Sequence, residues 1–272
     1  MKKKHQKNDL TVNVRPEIFE IQDTIIETRR DIHKYPELGF EVQRTAGIVS
    51  DRLNSFGMDV QTGIGKTGVV GTLQGGKDGA TIALRADMDA LPIHESNEFD
   101  HRSHVDGKMH ACGHDAHVAI LMVVAELFAG IREKIPGTIK FIFQPAEEGP
   151  PEGEEGGAKL MVEQGVLENP RPDAIFGLHI GTRDLNTVHY SMRAMHASSD
   201  VLKIDIEGRQ THGASPWRGV DPIVAASQII MGLQTIHSRQ IDTREAVVIS
   251  IGSIHGGVRH NIIPERVSLV GT

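Results

Sequence analysis

The chain has 272 residues, a formal net charge of -7 and a single cysteine. That length allows one large domain or two modest ones, and 39% hydrophobic with 24% charged residues is a globular balance that excludes a largely disordered chain. The acidic balance argues against a nucleic-acid partner, and no run approaches the roughly 20 apolar residues of a membrane helix. One cysteine excludes an internal disulfide, so a reducing, cytoplasmic setting is expected; the basic start MKKKHQK leads into polar sequence, not the apolar core of a signal peptide.

Residues 1–15 read as a disordered tail. From Pro16 to about Phe56, Ile18, Ile21, Ile25, Ile32, Ile48, Val49 and Leu53 recur at helical spacing. The Pro- and Gly-bearing stretch 33–39 splits them into two helices. Gly68–Leu73 and Thr81–Arg85 are short β-rich runs around the turn 75–79. Ala116–Ile135 is long and apolar enough for a buried helix. Thr138–Phe143 is a buried strand, Gly156–Gly165 a short helix, and Ala174–Ile180 another buried strand. This alternation predicts an α/β domain over 16–197 with a mostly parallel central sheet. After Ser198 the texture changes: Val201–Glu207 alternates, Asp221–Ile236 is helical with Pro222 in its first turn, and Ala246–Ile254 and Arg266–Val270 are strands. Residues 198–272 thus read as a smaller α+β domain with an antiparallel sheet.

The 15 histidines and the acidic groups concentrate where strands end. Asp87 and Asp89 follow one strand, Glu147 and Glu148 a second, and His179 closes a third; ligands of open α/β sheets bind at that rim. The segment His110-Ala111-Cys112-Gly113-His114-Asp115-Ala116-His117 enters the long helix there. Thiolate, imidazole and carboxylate donors suit Zn²⁺, with Mn²⁺ or Co²⁺ where carboxylates weigh more. A structural cysteine beside surface histidines is the alternative, but the only cysteine falls between two histidines. One of Glu147 and Glu148 can ligate while the other faces substrate as a general base; the alternative is that both begin a solvated acidic loop, but their position directly after a buried strand favours function. Asp89 and Asp115 are candidates to orient an imidazole. His212, in the tight loop Thr211–Pro216, and Asn261 are open between catalysis and turn structure, and Arg259 between a substrate carboxylate and solvent.

The motifs RRDIHKYPELGFEV, LRADMDALPI, HACGHDAH, FQPAEEG, GLHI, THGASPWRGVDPI and HNIIPE resemble the amidohydrolase branch of the aminoacylase and carboxypeptidase metallopeptidases. That branch includes N-acyl-amino-acid amidohydrolases, hippurate hydrolases and plant auxin-conjugate hydrolases. The resemblance implies a zinc-peptidase-like catalytic domain, of which 16–197 is the amino-terminal part. Residues 198–272 would be an incomplete ferredoxin-like lid through which the full-length form dimerises. It further implies two divalent cations (Zn, Mn or Co) held by Cys112, His114, Glu148 and His179, with Glu147 as general acid–base. Asp87 stands where another branch has a ligating histidine and is taken as a polar site residue. His212 is implied to steady the oxyanion in a neighbouring subunit's site, with Asn261 assisting. The expected substrate is an N-acyl amino acid, cut at its amide bond; the alternatives are a metallocarboxypeptidase acting on short peptides, and an inactive metal-binding or dimerising fragment. The closing part of the catalytic domain, with a further metal-binding histidine, is expected beyond the last residue of this sequence.

Overall fold

A computed structural model describes residues 16–149, 153–182, 184–192, 195 and 197–272. The tail expected at 1–15 therefore lies outside the described residues, as do positions 150–152 of the acidic loop. The chain forms two compact units, Met1–Arg183 and Asp184–Thr272.

In the first unit, helices α1 (Pro16–Glu20), α2 (Gln22–Lys34) and α3 (Gln43–Ser55) precede strands β1 (Asp59–Ile64), β2 (Gly68–Gln74) and β3 (Lys77–Asp87). Helix α4 (His114–Gly130), strand β4 (Pro136–Gln144), helix α5 (Gly157–Glu163) and strand β5 (Ala174–Gly177) complete it. In α3, Thr45, Val49 and Leu53 recur every four residues, so its buried side chains form one stripe. Helix α4 is apolar nearly all round because it is buried nearly all round, from Val118 through Ala125.

The sheet order is β1-β2-β4-β3-β5. β4 is parallel to β3 and β3 to β5, while β2 is antiparallel to both β1 and β4. Every strand except β2 therefore points the same way, which is the mostly parallel sheet the alternation implies. Central β4 is buried from Gly137 to Gln144. Its pleat sends Phe141 and Phe143 toward α2, α3 and α4, with Val69 and Leu73, and Ile142 to the other face with Val70, Met161 and Val166. Edge strand β1, DVQTGI, was not expected: it buries little, and its place comes from backbone pairing with β2.

The second unit contains β6 (Leu202–Glu207), β7 (Thr211–His212), α6 (Pro222–Leu233), α7 (Ile236–Arg239), β8 (Ile251–Gly256), β9 (Ile262–Ile263) and β10 (Arg266–Gly271). β6, β10 and β8 form an antiparallel sheet in that order. Ile204, Ile206, Val267 and Leu269 pack under Ala226, Ile229 and Ile230 of α6. Asp221 caps α6 by accepting from the N–H groups of Ile223 and Val224. The helix expected to reach Ile236 ends at Leu233 and resumes as α7, and the strand expected from Ala246 begins at Ile251. The two-residue strands β7 and β9 pair with each other and are too short to carry a period. Among the described residues no helix is long and apolar enough to cross a membrane.

Candidate metal centre

The carboxyl ends of parallel β3, β4 and β5 open on one rim, where α4 also begins. Asp87 is the last residue of β3, Glu147 and Glu148 follow β4, and His179 follows β5. Ligand atoms of Cys112, His114 and His179 come within 4.8 Å of one another, as do those of His114, Glu147 and Glu148, and those of Asp87, His114 and His117. His114 belongs to all three groups.

His114 is wholly buried. Its Nδ1 lies 2.8 Å from the backbone oxygen of Asp89. A carbonyl only accepts, so Nδ1 carries a proton, and in the neutral ring it is Nε2 that presents the lone pair. That nitrogen has no hydrogen-bond partner, and neither does the buried Oε1 of Glu148. The two atoms face each other at 3.7 Å, with Asp87 Oδ2 at 3.7 Å and Glu147 Oε2 at 3.8 Å from the same nitrogen. Facing lone pairs repel, and buried polar atoms are rarely left unpartnered; a divalent cation among them would satisfy both, so the donors fit the group they are expected to hold. Burial works to lower the His114 pKa, yet Asp89, Asp87 and Glu148 raise it above the ordinary value. The field at this nitrogen therefore favours positive charge.

Cys112 Sγ lies 3.5 Å from His179 Nε2, and His179 Nδ1 donates to its neighbour's carbonyl, Ile180 O, at 2.6 Å. Burial and the Glu148 and Glu147 carboxylates push the Cys112 thiol up to about 12. The same negative charge that holds the proton on sulfur favours a cation that would replace it. Asp89 is the clamp beneath the acidic pair: its Oδ1 accepts from Glu147 N–H and its Oδ2 from Glu148 N–H, each at 3.0 Å. Thus its carbonyl meets the His114 imidazole and its carboxylate sets the backbone of both glutamates.

Asp87 is bound on both oxygens, by His117 Nδ1 at 2.6 Å and by Arg85 at 2.6 Å. His117, to which the sequence assigns no individual role, also accepts from Ile180 N–H through Nε2 at 2.8 Å. With both nitrogens engaged it drops out as a ligand. Its position three residues after His114, on one helix face, is the signal that could have found it. Asp115 turns away from the cluster; its Oδ2 accepts from His33 Nδ1 and Arg29 Nε, both at 2.8 Å. In the second unit, β7 pairs with β9 so that His212 lies opposite Ile262, and Gly213 N–H donates to Asn261 O at 2.8 Å. His212 is exposed, and its Nδ1 accepts from Ala214 N–H at 3.1 Å, which leaves Nε2 to carry the proton. Arg259 is exposed.

Residues 83–257 match Peptidase family M20/M25/M40. The chain is 42% identical over 266 residues to thermostable carboxypeptidase 1 of Saccharolobus solfataricus, covering 97% of this chain and 66% of that one. It is 42% identical over 255 residues to hippurate hydrolase of Campylobacter jejuni, covering 93% and 65% respectively. The crystal structure of a Bacillus subtilis protein described as a dinuclear metal binding peptidase of this family matches with a TM-score of 0.68 at 36% identity, over 93% of this chain and 64% of that one. The chain thus spans about two thirds of the length of these curated relatives. With the rim geometry, the family match and these identities in agreement, the chain belongs to Peptidase family M20/M25/M40.

Proposed function

We propose that the protein is a metal-dependent amidohydrolase that splits N-acyl amino acids into a carboxylic acid and a free amino acid. The observation that carries this reading is the unpartnered pair His114 Nε2 and Glu148 Oε1, buried within a ring of further donors. Cys112, His114, Glu148 and His179 would hold two divalent cations, zinc, manganese or cobalt. Bound there, such cations supply Lewis acidity, acidifying water and polarising a carbonyl oxygen.

Of the adjacent carboxylates, Glu147 is the more open, its side chain 37% exposed against 21% for Glu148. Glu147 is therefore the group able to meet a substrate. It takes a proton from the attacking water as the water oxygen adds to the amide carbon. It then returns that proton to the amide nitrogen as the C–N bond breaks. His212, in the tautomer that frees Nε2–H, donates to the developing oxyanion, with Asn261 assisting. Arg85 and His117 keep Asp87 ionised next to His114. The working form is a cytoplasmic homodimer joined through the second unit, with His212 serving the neighbouring subunit.

The hippurate hydrolase relative supports an acylated amino acid as substrate; the carboxypeptidase relative, at equal identity, supports short peptides as the second reading. The test is turnover of benzoyl- and acetyl-amino acids against dipeptides by protein of known metal content. Hydrolysis of acylated amino acids that falls about 100-fold or more in Glu147→Ala is expected. Faster cleavage of dipeptides favours the second reading, and no turnover by metal-loaded wild type overturns both.

A further inference from the structure

We propose that His117 is a positioning residue that sets the orientation of His179 by gripping the peptide between His179 and Ile180. The inference rests on the metal-centre reading above for the role of His179. Ladder pairing holds β5 to β3 only as far as Gly177. Among the described residues, 178–182 make no backbone–backbone hydrogen bond. Edge position and exposed side chains (Leu178 49%, Ile180 51%) leave little packing to locate this segment. Yet it carries His179, whose ring must meet Cys112 within a few tenths of an ångström to share a cation.

The Ile180 residue resolves this. Its N–H donates to His117 Nε2 at 2.8 Å, and its carbonyl accepts from His179 Nδ1 at 2.6 Å. The carbonyl bond fixes the His179 tautomer and leaves Nε2 facing Cys112. The N–H bond ties the same residue to α4, the helix that begins at His114. Because Ile180 N–H can only donate, His117 Nε2 holds the lone pair and Nδ1 carries the proton that goes to Asp87 Oδ1 at 2.6 Å. One neutral imidazole thus joins the end of β3, the start of α4 and the segment after β5. A second contact agrees: Ile180 Cγ2 lies against Gly113, where an added Cβ would collide with it.

Two substitutions separate the two grips. The amide of Gln reaches the place of Nε2 and keeps an acceptor for Ile180 N–H; that of Asn reaches the place of Nδ1 and keeps only the donor to Asp87. Metal-free wild type, His117→Gln and His117→Asn would be titrated with Zn²⁺ by calorimetry, with circular dichroism of the metal-free proteins as the fold control. Affinity about 10- to 100-fold weaker in His117→Asn, with His117→Gln within a few fold of wild type, is expected. Wild-type affinity in both variants overturns the inference, as does a loss in His117→Gln equal to or greater than that in His117→Asn. If wild type itself binds no Zn²⁺, the metal-centre reading falls and takes this inference with it. Should His117→Asn fail to fold, long-range ¹H–¹⁵N spectra of metal-free wild type still decide: the proton of His117 must sit on Nδ1, and a proton on Nε2 refutes the grip.

Discussion

Asp87 shows how a single carboxylate is held charged inside a protein. Burial alone would raise its pKa, but the His117 hydrogen bond and the Arg85 and His114 charges bring it down to about 2, from an ordinary 3.8. Between those values the folded state binds fewer protons than the unfolded one, so stability rises with pH across that window. The contribution is complete above about pH 4 and is lost as pH falls toward 2, and a shift of this size is worth on the order of 2 kcal/mol. Urea unfolding of the metal-free protein from pH 5 to pH 2 should therefore fall less steeply in Asp87→Asn than in wild type. Identical acid limbs would show that Asp87 titrates as an ordinary surface group. The presence of a charged Asp87 at a strand end is visible in the sequence. That its two oxygens belong to Arg85 and His117 is not, because His117 lies 30 residues away and only the crossover through α4 brings it back.

At the scale of the element, the junction into α4 carries the most chemistry for its length. Gly113 stands before the helix at φ +82°, a conformation that costs an L-residue about 1–2 kcal/mol. It also faces Ile180 Cγ2 with no room for a Cβ. Cys112 and His114 flank it, so the turn that only glycine makes easily is the turn that aims both candidate ligands. Gly113→Ala should lower stability by roughly 1–3 kcal/mol in denaturant unfolding and reduce bound metal by elemental analysis. Retention of both stability and metal would mean that Ile180 moves freely and the junction is not constrained. Within the second unit, the three-stranded sheet owes its face to the strict alternation in β6, whereas β7 and β9 exist because backbone groups find each other across the loop.

At the scale of the whole molecule, the candidate ligands Cys112, His114, Glu148 and His179 all lie in the unit Met1–Arg183, while His212 and Asn261 lie in Asp184–Thr272. If those residues hold the metal and the two units open separately, metal binding stabilises the first unit alone, by about 2.7 kcal/mol when the free metal is at 100 times its dissociation constant. Hydrogen exchange with and without Zn²⁺ should show added protection in β3, β4 and α4 and none in β6 and β10. Equal protection in both units would mean that they open together. The chain spans about two thirds of its curated relatives, so the same experiment on a longer form compares the two directly.

Periodicity and composition determined the elements that bury apolar faces: α2 with α3, β2, β3, β4, α4, α5, β6 and α6 all announce themselves because burial imposes a spacing on local sequence. The apolar run expected to be a buried strand over Ala174–Ile180 is instead the four-residue edge strand β5, exposed at every position. The rim cluster is equally legible, since strands that alternate with helices must end on one side and HACGHDAH places its donors within eight consecutive residues. Edge strand β1 and the short β7 and β9 were silent because backbone pairing places no demand on side-chain type. Only the tertiary structure decided which groups at the rim are spoken for. It gave Asp89 the amides of both glutamates, took Asp115 to His33 and Arg29, made His117 the link between Asp87 and Ile180, and left His114 Nε2 and Glu148 Oε1 facing each other unpaired. Those partners lie tens of residues apart and several are backbone atoms, which every residue but proline offers alike, so no local pattern can specify them.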